Sequence, residues 1–158
     1  MPRGKKIPKR VIAPDPTFNS VLLTKFINMV MEKGKKTIAQ SIVYGALDTL
    51  KEKKEGDAIK LFETVMEAAR PAVEVRSRRV GGANYQVPMP VTVDRQNALA
   101  FRWMIAAAKA RKGKAMVHKL ADEMMDILEG VGGTMKKKDD VHRMAEANKA
   151  FAHFARRR

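Results

Sequence analysis

The apolar residues of this chain recur every three or four positions almost from end to end, and a single interval, 72–91, alternates instead. The first spacing lays one apolar face along an α-helix; alternation lays one along a strand. The chain is therefore confined to a mainly α fold carrying one β-hairpin. At 158 residues, with 45% apolar content, it forms one domain with a hydrophobic core.

The helical stretches can be read in turn. From Asn19, Leu22, Leu23, Phe26, Ile27 and Val30 share a face; Gly34 ends that helix, with Lys33, Lys35 and Lys36 at its negative pole. A second helix holds Ile38, Ile42, Val43, Ala46, Leu47 and Leu50 inward and fades into the charged run 51–56. Asp57 caps a third, with Ile59, Phe62, Val65, Met66 and Ala69 inside and Pro71 as its stop. Asp94 caps a fourth that runs to about Lys112 on Phe101, Met104, Ile105 and Ala108, and Gly113 breaks it. A fifth, from about Ala115 to Glu129, buries Val117, Leu120, Ala121, Met124, Ile127 and Leu128. Gly130, Gly132 and Gly133 end it, and Lys136 to Lys138 form a basic connector. Asp139 or Asp140 then opens a sixth helix with Met144, Ala147, Phe151 and Phe154 inward.

In the exceptional interval, Val73, Val75 and Ser77 alternate with Glu74, Arg76 and Arg78. Gly81-Gly82-Ala83-Asn84 tolerates positive φ, so Gln86 to Val91 can return as a second strand. Pro88 and Pro90 withhold ladder donors, which fits a free-standing edge ribbon that projects from the helical body and leans on a partner. Residues 1–16 carry Arg3, Lys5, Lys6, Lys9 and Arg10 among four prolines, an extended basic arm. The expected layout is a six-helix single domain: an arm at 1–16 and a helical RNA-binding domain at 17–158, with its protruding hairpin at about 72–91.

Charge says what such a domain meets. There are 32 Lys and Arg against 17 Asp and Glu, a net +15 that repels itself unless a polyanion neutralises it. The excess is segregated. Between Arg95 and Ala121 stand Arg95, Arg102, Lys109, Arg111, Lys112, Lys114 and Lys119 without an acid. Arg95, Arg102 and Lys109 are seven apart and line up on the fourth helix. Trp103 borders that stripe, where it can pack inward as a part-buried core aromatic or offer a stacking surface. On the hairpin, Arg76, Arg78 and Arg79 crowd one strand, with Tyr85 just past the turn. Arginine grips phosphate with a planar fork, and tyrosine offers a stacking face, so the pair of types points to RNA. A basic edge strand also guards against aggregation, but three clustered arginines exceed that need.

Other chemistries find little support. Without cysteine there is no disulfide or thiolate metal site, and His118, His142 and His153 form no metal-ligand pair. No metal or cofactor is expected. The Gly130–Gly133 stretch leaves a helix rather than a strand, and Thr134 and Met135 separate it from the lysines, unlike a phosphate loop. Asp139-Asp140-Val141-His142 is explained by the start of a helix. No catalytic constellation is present, so an enzyme is not expected. The apolar run Val21–Met31 is far short of a membrane span, and no signal-peptide core follows the basic N-terminus. A soluble chain in a reducing compartment is expected.

Four stretches complete the reading: Pro2–Lys6 continuing to Pro14-Asp15-Pro16, Met31–Lys36, Arg70–Pro88, and Asp139–Asn148. On these the chain resembles the family of bacterial-type small-subunit ribosomal protein seven along nearly its whole length. The resemblance implies a structural constituent of the 30S head, in the cytoplasm or in an organelle ribosome. It would bind the three-prime major domain of small-subunit rRNA directly and nucleate head folding, among neighbouring small-subunit proteins. It implies rRNA contacts for the arm, Lys35, Lys36, the fourth-helix stripe and Lys114; Arg76, Arg111 and Lys112 join them on charge. Arg78, Arg79, Gly81, Gly82 and Tyr85 would lie at the hairpin tip near exit-site tRNA and mRNA. Some members carry a longer C-terminal tail than one ending at Arg158. The alternatives are a free-standing nucleic-acid-binding architectural protein, which would bind duplex DNA equally, and an RNA-modifying enzyme, which would show a cofactor loop.

Overall fold

The computed structural model describes residues 4 and 10–156. Arg3, Lys5, Lys6 and Lys9 of the arm lie outside the described residues. The elements, in order, are α1 (Val21–Val30), α2 (Lys36–Lys53), α3 (Ala58–Ala69), β1 (Val73–Val80), β2 (Ala83–Pro90), α4 (Val93–Ala110), α5 (Met116–Leu128) and α6 (Gly132–Ala147), then a 3-10 helix (Lys149–Arg156). The mainly α expectation holds, and the helix count rises by one because residues 149–156 leave α6 and tighten into 3-10 winding.

The core is built from the periodic faces. Phe26 of α1 touches Phe62 of α3 and Phe101 of α4, with ring centroids 5.4 and 5.1 Å apart. Each ring is almost wholly buried, and burying such a side chain stabilises by about 1.5–3 kcal/mol. Helix α5 packs against α2, α3, α4 and α6, and its Leu120, Met124 and Ile127 fill the centre. Three residues placed inward by spacing lie outside: Ile38 is 53% exposed, Met144 is 45% exposed and Ala147 is exposed as well. Ile38 stands in the first turn of α2.

Several boundaries move, each for a local reason. Helix α1 ends at Val30, before Gly34; Lys33 (φ +53°) and Gly34 (φ +77°) turn the chain instead. Lys35 is thus the N-cap of α2 and Lys36 its first residue. They crowd the positive end of α2's dipole rather than the negative end of α1's. Asp57 caps α3 as expected, its Oδ1 accepting from the Ile59 amide at 3.2 Å. Helix α4 starts one residue before Asp94, with Thr92 at the N-cap, so Asp94 sits in the first turn.

The largest shift concerns the glycines. Helix α6 begins at Gly132, so Lys136 to Lys138 are helical and not a connector. A Cβ on Gly133 would stand 3.0 Å from the Cβ of Ala107, and one on Gly132 2.9 Å from that of Asp126. These glycines let α6 start flush against α4 and α5, a packing role that outweighs their poor helix propensity. Lys138 then reaches across to donate to the Ala68 carbonyl in the last turn of α3, at 2.6 Å.

The two strands pair antiparallel from Val73↔Pro90 to Val80↔Ala83. Gly81 (φ +58°) and Gly82 (φ +91°) form the two-residue turn, which suits the right-handed twist of the strands. The support that a lone ribbon needs comes from the chain itself. Tyr85 lies 5.1 Å from Phe151 and 5.3 Å from Phe154, and Arg78 donates to the Phe154 carbonyl. The hairpin is therefore not free-standing along its length, while Arg79 and residues 81–84 at the tip stay exposed.

Candidate nucleic-acid interface

A cation serves a phosphate only where no acid of its own chain already holds it, so the interface is found by removing the paired ones. The α4 stripe forms as spaced, but acids from other elements meet it. Arg95 Nε lies 3.1 Å from Glu74 Oε2 on β1, and Lys109 pairs with Glu32 in the α1–α2 turn. Glu74 is buried and also takes Arg76. Arg111 is held by Glu123 and Asp126, and Lys114 Nζ stands 2.7 Å from Asp122 on α5. Counting charge along the chain missed Glu32 and Glu74 because they lie 77 and 21 residues from their cations. It missed the acids of α5, 8 to 15 residues on, because only the fold turns them back onto Arg111 and Lys114.

Besides Lys33, Lys51, Lys60, Lys136, Lys137 and Arg143, which were not expected as contacts, the expected contacts Arg10, Lys35, Lys36, Arg79, Arg102 and Lys112 are, among the described residues, exposed with no acid within ion-pair distance. Most of these converge along α1 and α4. Arg10 lines a groove with Lys25 and Met29 of α1 and Asp94 and Ala98 of α4. Lys36 lines another with Ile12, Pro14 and Pro16 from the end of the arm. Lys35 shares a third with Lys109 at the far end of α4. The described end of the arm, the α1–α2 turn and the α4 stripe thus meet on adjoining grooves, with Arg102 midway along the stripe. The hairpin tip contributes Arg79 with Gly81 and Gly82; Tyr85 is half-buried under the two phenylalanines and does not present the open ring face expected of it.

Two features that hold this surface were not singled out from the sequence. Asp15 is buried at the root of the arm, its Oδ2 accepting from the amides of Thr17 (3.1 Å) and Phe18 (3.2 Å) and its Oδ1 from the Tyr44 hydroxyl (2.7 Å). Burial, with Asp15 alongside, holds the Tyr44 phenol above its ordinary pKa. Glu32 is held below the usual carboxylate range by its hydrogen bond to Lys109 and the charge behind it. The Pro14-Asp15-Pro16 context was visible; that Asp15 turns inward was not.

The histidines are spent locally or exposed. His142 Nε2 accepts from the Ala72 amide at 3.3 Å, which steadies the start of the hairpin on α6. Among the described residues no group of three or more His, Asp or Glu could hold a metal ion. No described helix is long and apolar enough to cross a membrane.

Comparison with known proteins places the chain in a family. The family described as ribosomal protein S7p/S5e matches residues 2–149. A small ribosomal subunit protein uS7 from Pelotomaculum thermopropionicum is 56% identical over 154 residues, covering 98% of this chain and 99% of the relative. Proteins of the same name from Methylibium petroleiphilum and Alcanivorax borkumensis are 54% and 56% identical, over the same shares of each chain.

Proposed function

The chain belongs to the ribosomal protein S7p/S5e family, and from that premise we propose that it is a structural protein of the small ribosomal subunit which binds the three-prime major domain of rRNA directly and nucleates folding of the head. One observation carries the direct-binding reading: among the expected contacts left without an acid, Arg10, Lys35 and Lys36 line grooves where the described end of the arm, the α1–α2 turn and α4 meet. Phosphates drawn to Arg10, Lys35, Lys36, Arg102 and the arm lose their mutual repulsion, and the packed helices hold those contacts at set spacing. Lys112 extends the same surface, while Lys109 is held by Glu32. Arg76, Arg95, Arg111 and Lys114 are already neutralised within the chain and contribute less.

The hairpin has a second task in this account. Arg78, Arg79, Gly81, Gly82 and Tyr85 form a stiff finger whose tip approaches exit-site tRNA and mRNA, with neighbouring small-subunit proteins alongside. Its stiffness comes from the C-terminal rings that clamp Tyr85.

Hydroxyl-radical footprinting on isolated rRNA domains tests the proposal. Protections should appear on the three-prime major domain and be missing from the five-prime domain. Equal protection of both would reduce the protein to a general polyanion binder.

A further inference from the structure

The groove between the α1–α2 turn, the start of α2, and the facing ends of α4 and α5 has an unusual lining for a surface so basic. Val30, Ile38, Ala39, Ile42 and Met116 make it apolar, and its volume is about 430 Å³, within the range of small-ligand sites. Ile38 stands 53% exposed at its mouth, beside two lysines with no acid partner. About half of that isoleucine's surface is left outside the chain's own core.

The rim supplies the rest of the chemistry. Lys35 lines the groove and Lys36 follows it on the helix, so phosphates on either side of an inserted group meet positive charge. Glu32 also lines it, and its Oε1 takes Lys109. Among the described residues, Glu32 Oε2 has no hydrogen-bond partner, so this lining carboxylate keeps an acceptor. A carboxylate of this kind accepts from an exocyclic amine, as it does from cytosine N4.

We propose that this groove takes the base of one unpaired rRNA nucleotide bearing an exocyclic amine, with the base against Ile38 and Ile42, the amine on Glu32 and the flanking phosphates on Lys35 and Lys36. The inference rests on the rRNA-binding reading above and adds how that surface gains specificity. Sequence-specific RNA recognition works mainly through unstacked bases; phosphate contacts alone carry no sequence information. A peptide or second protein in the groove would leave rRNA affinity independent of Ile38.

The test uses the full chain and the isolated three-prime major domain RNA, titrated at several salt concentrations, with base-specific chemical probing of the complexes. Failure of the unaltered protein to bind selectively would end the rRNA-binding reading itself, before any variant is made. Given selective binding, Ile38→Ala should weaken it by on the order of tenfold, the scale of losing one base contact, with the salt slope unchanged. Ile38→Leu should restore most of the affinity, and one protected unpaired base should regain reactivity in the Ala variant. Glu32→Gln frees Lys109 for phosphate, so its salt slope should steepen while the same base regains reactivity. Affinity unmoved by Ile38→Ala, a salt slope that flattens in that variant, or a base still protected in both variants would overturn the proposal.

Discussion

Arg111 meets Glu123 through two nitrogens, Nε at 3.0 Å and Nη2 at 2.6 Å, and the acid they reach is only 1% exposed. The other oxygen of Glu123 accepts from the Thr134 amide at 2.9 Å and its hydroxyl at 2.7 Å. One buried carboxylate therefore ties the end of α4, the middle of α5 and the first turn of α6. Removing one partner of such a pair costs about 3–5 kcal/mol, because a buried charge is left uncompensated. Arg111→Ala should lower stability by roughly 3 kcal/mol in urea denaturation, while the remaining folded protein binds rRNA with little loss. Full stability with much weaker binding would place Arg111 on the RNA instead.

Lys35 and Lys36 make the opposite prediction. Both are exposed at the positive end of α2's dipole, so Lys35→Ala/Lys36→Ala should not lower the thermal midpoint. Binding should weaken, and the slope of log affinity against log salt should flatten by about 1–2, close to one phosphate contact per lysine. An unchanged slope in a folded variant would remove both lysines from the interface.

The C-terminal clamp should show in exchange rates. Aromatic pairs of this geometry contribute about 0.5–1.5 kcal/mol each beyond their burial. Phe151→Ala/Phe154→Ala should therefore speed amide exchange across 73–90 several-fold, with α3, α4 and α5 unaffected. Unaltered protection of the hairpin would show that its own ladder suffices.

Acid titration tests the tie between α2, α5 and the α4–α5 loop. Asp122 sits below its ordinary value of 3.8, chiefly through its hydrogen bond to Lys114, with Lys53 adding charge at 3.6 Å. A depressed folded-state pKa contributes stability that is present above the unfolded value and lost as pH falls through the folded one. The stability gap between the unaltered protein and Asp122→Asn should thus hold from neutral pH to about pH 4 and close below it. A gap that persists at pH 2 would mean the loss is steric.

Much of the helical frame was legible because spacing reports burial directly: Phe26, Phe62 and Phe101 were all placed inward and meet at the core's centre. The turn Gly81-Gly82 was legible for the same local reason. What escaped was whatever depends on a distant element. Gly132 and Gly133 read as a break because close approach to Asp126 and Ala107 leaves no mark in local sequence. The basic stripe on α4 read as unopposed because Glu32 and Glu74 lie 77 and 21 residues from the cations they meet. Tyr85 read as an open ring because nothing nearby announces Phe151 and Phe154.

The central claim is direct and selective binding of rRNA by the surface that joins the arm, the α1–α2 turn and α4. A salt titration of binding to the isolated three-prime major domain, with duplex DNA as competitor, tests it most directly. With ~6–10 phosphates neutralised, affinity should fall by on the order of 10³–10⁵ between about 50 and 200 mM salt, on the duplex-DNA scale, and DNA should fail to displace the RNA. Equal displacement by DNA at every salt concentration would contradict the account.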